Sequence, residues 1–386
     1  MAATPIRILH ALGSMNPGGV ETWLLNILKF VDRDRFKFDI CTFGPEPGLY
    51  ANQVERLGGT MVPCPRTQNP WSFPSRFLRI LRQGKYDVVH SHVTLFSGVV
   101  LRWASAESVP IRIAHSHTSK DDKANTVGRK YYRSLMKSWI DHYATHGLAA
   151  SRVAAAELFG GNWQRDARFR VLYYGIDRRP FEDPIVREQV RQEFGIPPGA
   201  SVVGHVGRFV PAKNHRFLLE IGSEILKLRP NVHFLLVGDG PLRSDIETRA
   251  KAMGFAGNMH FLGVRTDIPR LMRGGMDLLI FPSFYEGFGL VLVEAQAAGL
   301  NCVVSDAVPD ETVVLHHAVK FLPLSVGANR WAGEVVRMLD SSLSPGASGR
   351  KLPEGRFTIQ ESVRDLESVY RSAERCSAEQ IVQSHV

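Results

Sequence analysis

With 386 residues, 44% of them hydrophobic and 22% charged, the chain has the composition of a soluble globular protein and the length for two separate cores. No apolar stretch approaches the ~18 residues of a bilayer-crossing helix, and the opening MAATPIRILHALG has no basic leader, so it fits a first strand rather than a signal peptide. The net charge of +9 is lopsided: residues 1–178 hold 24 Lys and Arg against 14 Asp and Glu, whereas the remainder is nearly balanced at 23 against 24.

A basic first half points to an anionic partner, and a membrane surface, a nucleic acid and a phosphorylated substrate all qualify. No nucleic-acid module is recognisable, so nucleic acid is not expected. Cys41, Cys64, Cys302 and Cys376 lack metal-ligand spacing and read as four unpaired thiols in a reducing compartment. A cytoplasmic protein is expected.

In chain order, RILHAL, FDICTF, DVVHSHV, IRIAHSH and HGLAAS read as short strands separated by longer amphipathic stretches. That alternation predicts an α/β fold with a parallel sheet covered on both faces by helices. A segment around VLYYGID precedes a charged connector, DRRPFEDPIVREQVRQEFGIPPGA. The pattern restarts with SVVGHVGRF, VHFLLVGDG, MHFLGV, DLLIFPS and NCVVSD, which places domains at 1–178 and 179–358. Residues 359–386, from the amphipathic FTIQESVRDLESVYRSAERC, are expected to form a terminal helix and tail packed back on the first domain. Two doubly wound halves would bring their strand C-termini, where such sheets bind ligands, to face each other across a cleft.

Several stretches carry chemistry. In SMNPGGVET, Gly18 and Gly19 form a small loop opening a helix; the loop suits a phosphate or acceptor contact, and a purely steric turn explains it equally well. HSHV (90–93) and AHSHTS (114–119) alternate histidines at strand ends, so His90 and His92 share one face and His115 and His117 share another. Ordinary core or loop histidines account for them; a zinc site would need four convergent ligands, and the local spacing offers no Cys or acid. The stretches 70–87 and 129–140 mix Arg and Lys with aromatics at helical spacing, compatible with helices packed on a sheet or lying on an anionic membrane.

GHVGRFVPAKNH (204–215) puts Gly207 and Arg208 at a strand end, with Lys213 close to the next helix start. Arg grips two phosphate oxygens at once and Lys acts as a point charge, so the pair suits a diphosphate. In FPSFYEGFGLVLVEAQAAGL, Glu286 lies in the loop after a strand, Glu294 lies on the following helix, and Gly299 ends that helix. The free N–H groups of a helix start suit a phosphate, and carboxylates beside it suit sugar hydroxyls. Solvent-facing acids, or a glycosidase-like acid/base pair, are the alternatives for the two glutamates.

GRFVPAKNH, LLVGDGPL, FLGVRTDIPRLM and EGFGLVLVEAQAAGL, in this order and spacing, resemble the retaining glycosyltransferases of family 4, which have the GT-B architecture. NPGGVETWLLNI, DVVHSHV, AHSHTS and VLYYGID resemble the first half of that family, so nearly the whole chain is covered. The resemblance implies that Arg208 and Lys213 bind the donor diphosphate, beside Gly207. It implies that Glu286 meets the transferred sugar, near the backbone amides of Phe288, Gly289 and Leu290. By the same resemblance Glu294 takes the ribose hydroxyls, the base lies against Val264 and Arg265, Gly18 and Gly19 face the ligand, and His117 contacts the donor sugar with His92 close by.

It further implies a UDP- or GDP-linked donor, retention of anomeric configuration, no cofactor and no metal. The basic first half and a likeness of SDAVPDET to the exopolysaccharide and capsule branch point to a glycan or polyprenyl-linked acceptor, with contact at the inner face of the membrane. Two positions depart from the family pattern. Tyr174 stands where Asn is common, and Asn301 where Pro is frequent, in a segment lacking the usual Gly-Gly-x-x-Glu ending. A GT-B nucleotide-sugar epimerase and a nonenzymatic nucleotide-sugar or membrane-binding scaffold remain the rival functions at this level.

Overall fold

The computed structural model describes residues 4–66, 72–118, 120, 126–255, 257–342, 352 and 355–373. Cys376 and the first two residues of the 70–87 stretch lie outside them. The chain divides into two compact units, one made of 1–175 with 355–386 and the other of 176–354. The divisions therefore fall at Gly175 and just before Gly355, a few residues ahead of 178 and 358.

Among its described residues the first unit holds seven parallel strands: β1 (Ile6–Leu12), β2 (Phe36–Thr42), β3 (Thr60–Pro63), β4 (Val88–Ser91), β5 (Ile111–Ser116), β6 (His146–Ala149) and β7 (Phe169–Val171). Their order is β3-β2-β1-β4-β5-β6-β7, so the winding reverses between β1 and β4. The second unit holds six among its described residues: β8 (Ser201–Val206), β9 (Val232–Val237), β10 (Met259–Gly263), β11 (Leu278–Phe281), β12 (Asn301–Ser305) and β13 (Val319–Leu322). Their order is β10-β9-β8-β11-β12-β13, and the reversal lies between β8 and β11.

Central strands are buried along their whole length, as β8, β9, β11 and β12 are, because helices cover both faces of a parallel sheet. Edge strands are weaker in sequence. TMVP is short, half-exposed and ends on a proline, which an edge tolerates, and VKFL carries an exposed lysine. These two strands are absent from the sequence reading for that reason.

Phe209, Phe234 and Trp331 fill the core of the second unit together with the helices His215–Leu228 and Ala328–Ser342. Removing such a fully buried aromatic costs roughly 3–5 kcal/mol. The charged connector also folds here: Asp277 receives Arg191 Nη2 at 2.7 Å and the Val202 N–H at 2.8 Å, and Arg187 at 2.5 Å.

The terminal helix Ile359–Tyr370 belongs to the first unit. Thr358 caps it by accepting from the Glu361 N–H, with Glu at the third position as in a capping box. Trp23, on the helix Gly19–Phe30, donates its indole N–H to Ser362 Oγ at 2.8 Å, and Ser362 donates to the Tyr173 carbonyl at 3.0 Å. In the helices Phe73–Gly84 and Val127–Tyr143 the apolar stripe faces inward: Phe73, Phe77, Leu81, Met136 and Ile140 are buried in the core of this unit. Val127 (85% exposed) and Tyr131 (72%) are the large apolar side chains that the second helix leaves in solvent.

Candidate active site

In the second unit the loops that follow β8 and β11 sit side by side at the point where the winding reverses, the place where open α/β sheets bind ligands. The β8 loop runs through Gly207 and Arg208 to a turn of 3-10 helix, Pro211–Lys213, and Asn214 opens the helix His215–Leu228 in a left-handed conformation. Gly238, after β9, fixes the floor of this loop. Its φ is +133°, and a Cβ there would lie 2.1 Å from the Gly207 carbonyl oxygen, so only glycine fits.

The two loops are tied twice. The Phe284 N–H donates to the Ala212 carbonyl at 2.8 Å, and Lys213 Nζ meets Glu286 Oε1 at 2.6 Å. Both partners of that ion pair are largely buried, at 19% and 9% side-chain exposure, and the ammonium also lies 4.7 Å from the centre of the Phe281 ring. Arg208 is exposed, and among the described residues its guanidinium has no hydrogen-bond or ion-pair partner. Gly207 packs closely against the Lys213 side chain, its would-be Cβ 3.4 Å from the Lys213 stem and 3.2 Å from His205 Nε2.

Gly289, with φ +82°, turns the β11 loop into the helix Leu290–Ala297. Phe288 and Leu290 flank it with buried side chains, which leaves backbone as what they offer to a ligand. Glu294 is the fifth residue of that helix; it is half-buried, and its side chain has no partner among the described residues. Burial pushes its carboxyl up to about 7. Val264 follows β10 and is 42% exposed. Arg265 beside it is committed to Asp267 through two bonds of 2.8 Å.

The other singled-out residues lie in the first unit. Gly18 is the extended cap of the helix Gly19–Phe30, and a Cβ on it would stand 2.4 Å from Glu21 Oε2, so a side-chain carboxylate already occupies this helix start. Nothing crowds Gly19. His117 does not stand alone: His92 Nδ1 meets its Nε2 at 2.8 Å, and the Tyr174 hydroxyl meets its Nδ1. Its two ring nitrogens are thus both engaged within the unit, which leaves a sugar the ring face and C–H edge. His10, from β1, and Tyr370, from the terminal helix, extend this cluster. The register of β1 with β4, which sets His10 against His90, is what a reading of HSHV and AHSHTS alone misses.

Burial, reinforced by the neighbouring rings, holds His10, His90, His115 and His117 well below the usual histidine value, and burial takes His92 to about 3. All are neutral at pH 7. His10, His90 and His92, and likewise His92, His115 and His117, have ring nitrogens within 4.8 Å of one another, close enough to hold a metal ion. Most of those nitrogens already bond to each other.

A pair of doubly wound parallel sheets, with a cation-bearing loop and an acid-bearing loop at the reversal of the second, defines the GT-B glycosyltransferase class. The match to known proteins agrees. Residues 17–179 match the model of glycosyltransferase family 4, and residues 186–342 that of glycosyl transferases group 1. EpsF of Bacillus subtilis (strain 168) is 31% identical over 95% of this chain and 94% of its own length. The capsular polysaccharide biosynthesis glycosyltransferase CapH of Staphylococcus aureus is 26% identical over 95% and 99%. HepE of Anabaena, solved in complex with UDP and glucose, superposes with a TM-score of 0.77 at 21% identity, covering 95% of this chain and all of that one. The chain belongs to glycosyltransferase family 4.

Proposed function

We propose that this glycosyltransferase moves a hexose from a nucleoside-diphosphate donor to a hydroxyl of a growing surface glycan, with retention of anomeric configuration and without a metal. The observation that carries the reading is the Lys213–Glu286 pair at 2.6 Å beside the unpartnered, exposed Arg208. The diphosphate lies along the Gly207–Lys213 loop and the backbone amides at Gly289 and Leu290. Glu286 then takes hydroxyls of the transferred sugar and Glu294 those of the ribose, with the base against Val264 and Arg265.

As the glycosidic bond breaks, negative charge collects on the leaving diphosphate, and fixed cations and helix N–H groups stabilise it most at that moment. Two cations already in place at the phosphate site supply the charge that a divalent ion would otherwise bring. No side chain is assigned as a covalent nucleophile. Attack from the face of the leaving group, with the donor phosphate accepting the acceptor's proton, gives retention. CapH, by its name, acts in capsule synthesis, which favours a polysaccharide acceptor. Lys130 is exposed on the helix that also leaves Val127 and Tyr131 in solvent, and with the basic first half this favours contact with an anionic membrane and hence a polyprenyl-linked acceptor.

The test is a turnover assay over a panel of UDP- and GDP-sugars, with the product anomer read by NMR. Arg208→Ala and Lys213→Ala should each lower kcat by roughly 100- to 1,000-fold, and a chelator should leave the wild-type rate intact. Wild-type rates in both variants would sink the donor assignment. Loss of activity on chelation would sink metal independence, and an inverted product would sink retention.

A further inference from the structure

Seven side chains of the first unit form one hydrogen-bonded line, and of these the family resemblance singled out His117 for contact with the donor sugar. The line starts where the Tyr174 hydroxyl meets His117 Nδ1. His117 Nε2 faces His92 Nδ1 at 2.8 Å, and His92 Nε2 faces His10 Nδ1 at 3.0 Å. His10 Nε2 then meets the Tyr370 hydroxyl at 3.4 Å, which meets His90 Nδ1 at 2.8 Å. His90 Nε2 ends on His115 Nδ1 at 3.0 Å. His10, His90, His115, Tyr174 and Tyr370 are almost wholly buried, and so is His92 at 7% exposure.

A neutral imidazole carries one N–H and one lone pair. In this line each inner ring uses one nitrogen toward each neighbour, so the tautomer of one ring dictates the next. Two arrangements fill every link and keep the Tyr370 O–H paired: all five histidines protonated at Nδ1, or all five at Nε2. A mixture within either group of rings sets two lone pairs, or two N–H groups, against each other about 3 Å apart, and one that breaks at Tyr370 leaves the phenol O–H or a ring nitrogen without its partner, in each case at the cost of a buried unmade hydrogen bond. Burial keeps the rings neutral, so none escapes the choice by taking a second proton.

The far end of the line breaks the tie. His115 Nε2 is buried and has no hydrogen-bond partner among the described residues. The all-Nε2 arrangement strands a buried N–H there, whereas the all-Nδ1 arrangement leaves only a lone pair, the less costly of the two. With His115 protonated at Nδ1, every other link follows, and the Tyr174 oxygen accepts from His117 Nδ1–H.

We infer that these residues act as one tautomer relay in which all five histidines carry their proton on Nδ1, and that Tyr370, on the terminal helix, is the positioning residue joining His117, His92 and His10 to His90 and His115. For the reaction proposed above, which only the kinetic part of the test presupposes, the relay holds His117 neutral and stationary. Turning its ring would break two hydrogen bonds and reverse the polarity of the line.

The test uses the full chain labelled with 15N-histidine. Long-range 1H–15N spectra separate Nδ1–H, Nε2–H and imidazolium rings, and assignment comes from spectra of single histidine variants. At pH 7 the five rings should show the neutral Nδ1–H pattern. Tyr370→Phe should leave His10, His92 and His117 in it and release His90 and His115 into mixed tautomers. Tyr174→Phe should shift all five together, His115 included, although six hydrogen bonds separate the two residues. Independent mixed tautomers in the wild type, or a Tyr174→Phe change confined to His117, would overturn the relay. So would stoichiometric Zn2+ uptake that collapses the pattern, because the rings would then be a metal centre. In the turnover assay Tyr370→Phe should lower kcat several-fold with donor KM unchanged. An unchanged kcat refutes the positioning role and leaves the tautomer result standing on its own, whereas absence of any transferase activity counts against the proposed reaction and not against the relay.

Discussion

Glu294→Gln should make the unliganded protein more stable and the enzyme worse. The Glu294 side chain is half-buried with no partner among the described residues, and its carboxyl is raised from 4.5 to about 7 by burial. Between those values the native state holds a proton that the unfolded chain has released, so wild-type stability falls as pH rises. The full cost, about 3 kcal/mol, is present above pH 8 and absent below pH 4. A glutamine of equal shape carries no charge to desolvate. The variant should therefore gain up to about 3 kcal/mol at pH 8, several degrees in the melting of the second unit, and nothing at pH 4. Trp331, the sole tryptophan of residues 176–354, reports that unit through its 19F signal in fluorotryptophan-labelled protein. Donor binding should move the other way. Losing charge-assisted bonds to ribose hydroxyls costs about 1.5–3 kcal/mol, or roughly 10- to 100-fold in Kd by calorimetry. Equal stability of the two proteins at pH 8, or a gain that persists at pH 4, would refute the claim that this carboxylate is desolvated.

Other perturbations probe the same architecture. Gly238→Ala drives a Cβ into the Gly207 carbonyl at a φ of +133°; it should cost about 2–3 kcal/mol in urea unfolding and weaken donor binding by displacing the Arg208 loop. Lys213→Met strands Glu286, whose side chain is 9% exposed, and should destabilise the second unit by about 2–3 kcal/mol; adding Glu286→Gln should restore most of this without restoring turnover, as a double-mutant cycle would show. Ser362→Ala leaves the Trp23 indole N–H and the Tyr173 carbonyl without their shared partner. It should lower the stability of the first unit by about 1–3 kcal/mol, measured by thermal unfolding followed at the Trp23 19F signal of fluorotryptophan-labelled protein.

Much of the fold was legible because apolar-rich runs such as VHFLLV and LLIF are what a doubly covered parallel strand must look like. The positions of the charged loop residues were legible for a related reason. Arg208, Lys213 and Glu286 lie in short segments just after such strands and Glu294 on the helix that follows, so local spacing alone places them at the C-terminal side of the sheet. Edge strands TMVP and VKFL carry no comparable signal, since one side of each faces solvent.

What only the tertiary structure decided concerns groups that meet across strands and across the length of the chain. The Lys213–Glu286 pair spans 73 positions, and the contact of Tyr370 with His90 spans 280. Periodicity reports the direction in which a side chain leaves its own strand or helix. It does not report which other element stands there, because sheet order is chosen by the packing of whole layers. For that reason the separate histidines of HSHV and AHSHTS became a single buried line only when β1, β4, β5 and the terminal helix were brought together.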